Sequence, residues 1–385
     1  MSTATLRLAA ASADVPRRKP HVCFVAPYAW PVLSGDRHLK VVGGAEMQQC
    51  ILGRLLAAHG YQVSMITFDF GQPQDAVVDG ITVHKTFRLD EGVPVLRFLH
   101  PRLTSMWRAL GRVNAEVYYQ RSAAMWTAVV AEFCRRHGRA SIYAGASDRD
   151  FELGNEQIRY ARDRWLYRRG LQRVDRVVVQ NPYQLASCRK HHGRDAILIP
   201  SCYVPPAEAA SRGDAVFWVA SMHPHKRPEW LLEIAARMPA QRFVMIGGPS
   251  IGGEALQPGA FESIRSRAAR LPNVEFTGFL PPAEVEKRFD EARLLVSTSL
   301  YEGMPNVFLQ AWARGVPAVA TVEVGAPVNT MFTTVEEGAE RIGRLLADRE
   351  LWGRASADSR DYFRRNHSPE EVLARYAQLL EELAS

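Results

Sequence analysis

The sequence predicts an α/β protein made of two Rossmann-like, doubly wound domains that face each other across a cleft. Three observations carry that expectation. A strand, a glycine-bearing loop, a helix and a second strand follow one another over residues 21–67. The same alternation restarts at Ala215, beyond the proline pair Pro205-Pro206. Near residue 300 an apolar strand runs into a glycine turn and an apolar helix, an order that presents helix amides at the carboxyl edge of a sheet.

Residues 1–20 contain charges but no sustained apolar core, so a disordered tail rather than a secretory leader is expected. Residues 21–27 (HVCFVAP) form the first strand. A loop through Ser34-Gly35-Asp36 leads to Gly43-Gly44, and Ala45, Met47, Ile51, Leu52, Leu55 and Leu56 give the next helix its apolar stripe. Gly60 stops that helix before the strand at 62–67. The loop is not G-x-G-x-x-G, so the dinucleotide fingerprint is absent, and Gly43-Gly44 alone fits a plain loop as well as a ligand contact. Further strands are expected at 81–85, 117–119, 141–144, 176–180 and 198–200, with helices near 103–112, 123–137 and 156–170. The domain boundaries that follow are 21–203 for the first domain, 204–214 for a linker and 215–366 for the second. The helix within 367–385 is expected to pack back on the first domain. Its start carries the capping pattern Ser368-Pro369-Glu370-Glu371.

In the second half, strands at 216–220, 242–246 and 274–277 alternate with helices at 228–238, 261–271 and 282–291. The run Leu294-Leu295-Val296-Ser297 is a buried parallel strand by pattern. Gly303 then permits a tight turn, Pro305 is placed as the first residue of a helix, and Gly315 ends it. Gln310 is the odd residue on this apolar helix. An unpaired buried amide costs about 1–3 kcal/mol, so a partner from protein or ligand is required.

Hydrophobic residues at 47% and charged residues at 23% place the chain among ordinary soluble globular proteins. A formal charge of +7 favours anionic partners. No helix-turn-helix, zinc-finger or aromatic RNA-binding pattern accompanies that charge, so nucleic acid is not expected. Only six residues are lysine, which makes Lys226, just before a helix start, a candidate phosphate ligand. Five scattered cysteines without a C-x-x-C pair point to a reduced compartment and no structural zinc. His223 and His225 lack companions for a metal site, and Asp148-Arg149-Asp150 fits a loop or acceptor role better than a metal-binding one. No apolar run spans a bilayer, so a cytoplasmic protein is expected. Two arginine-rich amphipathic stretches, 102–113 and 159–176, leave two readings open: ordinary solvated helices, or peripheral contact with the inner face of an anionic membrane.

Four segments then carry a family resemblance. Residues 302–321 (EGMPNVFLQAWARGVPAVAT) resemble the E-x7-E signature region of glycosyltransferase family 4, a retaining, nucleotide-sugar-dependent family with the GT-B fold. Residues 42–67 look like its first glycine loop and helix, 217–249 like its phosphate-lysine segment, and 273–303 like its base-pocket region. The resemblance implies that Glu302 and the amides of Gly303 and Met304 hold donor-sugar hydroxyls. Lys226 and the amides of Asn306 and Val307 would bind the departing diphosphate. Gln310 would face the ribose, Gly278, Phe279 and Leu280 would border the base, and Gly43 and Gly44 would approach from the first domain. The resemblance further implies a nucleotide-sugar donor, UDP favoured over GDP, and a carbohydrate, lipid-linked or small-molecule acceptor. Attack comes from the front face, and no metal or other cofactor is required. The sequence departs from the pattern at Gln310 (usually glutamate), at Ser221 (usually arginine), at Gln120-Arg121 (often histidine) and in the short 321–335 segment. A catalytically weak or inactive GT-B scaffold that binds a nucleotide sugar or a protein is therefore the alternative expectation, and an epimerase a third.

Overall fold

The computed structural model describes residues 18–35, 43–93, 96–207, 213–249, 257–324 and 328–384. The expected tail up to residue 17, part of the first glycine loop, part of the linker and part of the 321–335 segment lie outside these residues.

The first sheet has eight strands: β1 (Val22–Val25), β2 (Val63–Thr67), β3 (Ala76–Val78), β4 (Ile81–Lys85), β5 (Val117–Arg121), β6 (Ala140–Ala144), β7 (Arg176–Val179) and β8 (Ile197–Leu198). Their order is β3-β4-β2-β1-β5-β6-β7-β8, parallel throughout except for the β3–β4 hairpin. The central strands are buried along their whole length because helices cover both faces, which is why they read as apolar runs without alternation. At the hairpin, Asp79 and Gly80 take φ of 51° and 78°, as a tight two-residue turn between twisted strands requires. Helices α1 (Trp30–Ser34) and α2 (Gly44–Ala58) pack on one face of the sheet; α3 (Thr104–Val113) and α4 (Trp126–His137) pack on the other. Helices α5 (Ala161–Leu171) and α6 (Pro182–His192) complete the domain.

Two local differences from the sequence reading have plain causes. Helix α5 starts at residue 161 rather than near 156, because Glu156 is buried and accepts from Gly154 N and Arg168, holding the preceding residues in a turn. Helix α6 is absent from the sequence reading, because it has no clear apolar stripe, although Asn181 caps it by accepting from Gln184 N and Pro182 occupies its first turn.

The second sheet is parallel, in the order β11-β10-β9-β12-β13-β14. It contains β9 (Ala215–Val219), β10 (Phe243–Ile246), β11 (Val274–Gly278), β12 (Ala292–Ser297), β13 (Ala318–Ala320) and β14 (Thr330–Met331). Around it lie α7 (Pro228–Arg237), α8 (Ala260–Ala268), α9 (Pro282–Arg288), α10 (Asn306–Ala313), α11 (Val335–Ala347) and α12 (Arg349–His367). Pro305 sits at the cap of α10 in extended conformation, one residue before the position expected for it.

The chain crosses between the domains twice, at one place. Cys202 belongs to the first core and Tyr203 to the second. On the return, Phe363 lies in the second core, while Val372, Tyr376, Leu379 and Leu380 of α13 (Pro369–Ala384) lie in the first. The two crossings bond to each other: Tyr203 N donates to the His367 carbonyl at 3.3 Å, and His367 Nδ1 donates to the Ser201 carbonyl at 2.7 Å. Among the described residues, no helix is long and apolar enough to cross a membrane.

Candidate active site

The β9–α7 loop and the β12–α10 loop both leave the carboxyl edge of the second sheet, the edge where open α/β sheets bind ligands. Thr298 fastens these loops together. Its hydroxyl, approached by Trp218 Nε1 at 2.9 Å, donates to the Lys226 carbonyl at 2.6 Å, and the side chain is fully buried. Leu300 N adds a bond to the His225 carbonyl at 2.8 Å. The result places Lys226 Nζ in an ion pair with Glu302, although the two are far apart in sequence. Ser299 Oγ donates to the same carboxylate oxygen at 2.6 Å. Both side chains of the pair are mostly shielded, at 16% and 12% exposure, so their attraction is only partly screened.

Directly after this pair comes the start of α10. The amides of Asn306 and Val307 have no intrahelical acceptor by the geometry of a helix start, and they stand at the positive end of its dipole. Met304 presents only backbone here, since its side chain is 7% exposed within the second core. Gly278, Phe279 and Leu280 lie at the carboxyl end of β11, beside the same edge. Gly278 adopts φ of 71°, and Gly248 must lack a side chain because a Cβ there would meet Phe279 Cβ at 2.7 Å.

The first domain closes over this edge. Ser147 and Gly303 form a β-bridge, and a Cβ on Gly303 would lie 2.4 Å from the Ala146 carbonyl oxygen, so glycine is needed for the approach. Gln48 Nε2 on α2 donates to Asn306 Oδ1 at 2.7 Å, and Asn306 Nδ2 lies 3.4 Å from the Gly44 carbonyl. Gly43 is the extended residue before α2, next to that contact. The Arg149 guanidinium stacks 3.6 Å over the Tyr301 ring, whose other partner is a parallel His225 with centroids 4.7 Å apart.

Among the described residues, the cleft holds few free cations. Burial, with Lys226, His223 and Arg149 nearby, drives the His225 imidazole down to about 3, so it is neutral at pH 7. Arg227 adopts φ of 46° and donates to the Thr298 carbonyl at 2.6 Å while stacking on Trp230, which turns it away from Lys226. It does not replace the arginine missing at Ser221. The Asp148 and Asp150 carboxylates are engaged by protein. Asp148 accepts from Asn181 and Gln184, and Asp150 from Tyr143 and the amides of Ala146 and Ser147. Burial lifts Asp148 to about 6. Among the described residues, no group of three His, Cys, Asp or Glu has metal-ligand placement.

Gln310 has a partner that the sequence did not suggest. Its Nε2 donates to Glu286 Oε1 of α9 at 2.5 Å, and both residues remain partly exposed. The other oxygen of Glu286 accepts from the Tyr203 hydroxyl and, at 3.1 Å, from Arg314 Nη2. Arg314 is 1% exposed, and all five of its N–H groups have acceptors: Asp290, the Tyr203 hydroxyl, the carbonyls of Gln310 and Glu286, and the Glu286 carboxylate. A signal was present. Asn306, Gln310 and Arg314 recur every four residues on an otherwise apolar helix, a polar stripe that calls for a partner element.

Residues 43–202 match the family model described as glycosyl transferase 4-like domain, and residues 213–348 match that described as glycosyl transferases group 1. D-inositol 3-phosphate glycosyltransferase of Mycolicibacterium smegmatis is 30% identical over 181 residues, which are 43% of this chain and 41% of that protein. This chain thus spans about two-fifths of that relative's length. Sucrose-phosphate synthase from Thermosynechococcus elongatus superposes with a TM-score of 0.73 at 18% identity, covering 95% of this chain and 99% of that one. HepE of Anabaena, solved with UDP and glucose, gives 0.70 at 15% identity, covering 94% and 100%. At such identities these two solved structures show the fold, which is GT-B.

Proposed function

This chain belongs to glycosyltransferase family 4, and from that membership we propose that it transfers a sugar from a nucleoside diphosphate donor, a uridine nucleotide favoured, to an acceptor hydroxyl. The observation that carries the reading is the Lys226–Glu302 pair beneath the free amides of α10. A cation and helix amides suit a departing diphosphate, while a carboxylate beside them suits sugar hydroxyls. In this reading the ion pair parts when donor enters: Lys226 turns to the phosphate and Glu302 to the sugar. Asn306 and Val307 amides take up charge as the glycosidic bond lengthens, and the acceptor attacks from the same face with retention. Met304 and Gly303 contribute amides. Gln310 and Glu286 flank the path from Gly278-Phe279-Leu280 to the diphosphate, where the ribose lies. HepE, a protein of the same fold, was solved with UDP, which supports the choice of base.

The acceptor is a glycan, a lipid-linked sugar or a small hydroxyl compound, reached from the Gly43-Gly44 side. The reaction as proposed uses no metal. A reducing, cytoplasmic setting fits five cysteines that are all free and buried.

Calorimetric titration with UDP and GDP, repeated in Lys226→Ala and Glu302→Ala, tests the reading. UDP binding that weakens in Lys226→Ala, with turnover lowered by about 10²–10³, supports it. Absence of nucleotide binding would sink it. A second reading, a scaffold that binds nucleotide sugar without turnover, is favoured by Ser221 and Gln310. UDP binding with neither donor hydrolysis nor transfer would establish that one instead.

A further inference from the structure

A cavity of about 660 Å³ lies away from the cleft, on the first domain, between α3, α4 and α5. That is within the range of pockets that hold drug-sized ligands, about 300–1,000 Å³. Its floor is closed because α5 approaches α4 at Gly170, where a Cβ would meet Ala128 N at 2.4 Å. Trp107 and Leu166 line it, and Trp165 stands at its rim with 59% of its surface exposed. An indole left in water above an apolar floor marks a face that has somewhere else to go.

The rim is cationic. Arg108, Arg136, Arg169 and Arg173 line it against one carboxylate, Glu132. Glu132 is shared among Arg135, Arg136 and Arg173 at 2.7, 2.8 and 3.1 Å. Among the described residues, neither Arg108 nor Arg169 has a carboxylate within ion-pair distance, and Arg169 lies 5.6 Å from the Trp165 ring instead. Both α4 and α5 begin at the carboxyl edge of the first sheet, the edge turned toward the second domain.

We propose that this groove docks the protein on an anionic phospholipid surface, with lipid phosphates on the arginines and an acyl chain or glycerol unit against Trp165, Trp107 and Leu166. Tryptophan and arginine are the side chains that settle at a membrane–water boundary, and each arginine near an anionic surface strengthens binding about five-fold. The occupant is a lipid rather than a soluble anion because the floor is apolar and only the rim is charged. The inference does not depend on the nucleotide site, so either can fail alone.

The test uses the full chain and vesicles of phosphatidylcholine, with or without phosphatidylglycerol. Expected is sedimentation with phosphatidylglycerol vesicles only, weakened by salt and about 25-fold by Arg169→Ala with Arg173→Ala. Brominated acyl chains should quench the fluorescence that wild type has and Trp165→Phe lacks. UDP titration and thermal unfolding of the variants should match wild type. Absence of phosphatidylglycerol-dependent binding, or binding that these variants leave intact, overturns the proposal. So does binding without quenching, which would mean that charge alone holds the protein, and so does equal competition by inorganic phosphate.

Discussion

Replacing Glu286 by alanine tests the hidden polar network most directly. The change removes acceptors from Arg314, Tyr203 and Gln310 at once. Breaking a buried ion pair by deleting one partner costs about 3–5 kcal/mol. Two features reduce that here: the Glu286 side chain is 27% exposed, and Asp290 still accepts from Arg314 Nε at 3.1 Å. A loss of about 2–3 kcal/mol follows, or about 4–12 °C in the unfolding of a domain of this size. Glutamine at the same position keeps an oxygen for Tyr203 or Arg314 but loses the charge, so about 1–1.5 kcal/mol is expected. Urea unfolding followed by tryptophan fluorescence reads both values, and UDP calorimetry on the same samples reads the site. A Glu286→Ala protein within about 0.5 kcal/mol of wild type would refute the reasoning, since that is the range of an ordinary surface change.

Gln310→Glu, which restores the usual family residue, sets two carboxylates where one bond of 2.5 Å now stands. UDP affinity should fall in that single variant and recover in the reciprocal exchange Glu286→Gln with Gln310→Glu; an equal loss in both would contradict the pairing. Gly303→Ala places a methyl against the Ala146 carbonyl, so turnover should drop at least ten-fold with little change in UDP affinity, because domain closure rather than nucleotide contact is disturbed. His367 is fully buried, its Nδ1 proton goes to the Ser201 carbonyl, and its Nε2 has no partner; burial lowers the imidazole from 6.5 to about 4. The unfolded chain therefore takes up this proton first. Stability should be full above pH 6.5 and fall as the pH drops toward 4, by up to about 1.4 kcal/mol per unit, with a shallower slope in His367→Asn.

The sheets were legible because parallel strands buried on both faces leave unbroken apolar runs, and glycine and proline mark where they stop. The short β3 was not, since three residues at a sheet edge leave no periodicity, and α6 has only its Asn181-Pro182 start to mark it. The two loops that carry the proposed site residues were legible from their spacing and resemblance. What joins them was not: Thr298 binding the Lys226 carbonyl and Glu286 answering Gln310 are contacts between distant elements, and no local pattern encodes which helix faces which. The groove on α3, α4 and α5 was visible only as two amphipathic stretches. Its depth arises from how three helices meet at Gly170.

The double crossing of the chain sets an order of assembly. The first domain leaves the ribosome before the second, yet the apolar face of β1, β2 and α2 waits for Val372, Tyr376, Leu379 and Leu380 of α13, which is made only after the second domain. During synthesis the second domain can close its own core while the first still has a vacant side. Released chains truncated before residue 369 should therefore be more open to proteolysis in the early half than in the late half, the reverse of what order of emergence alone would give.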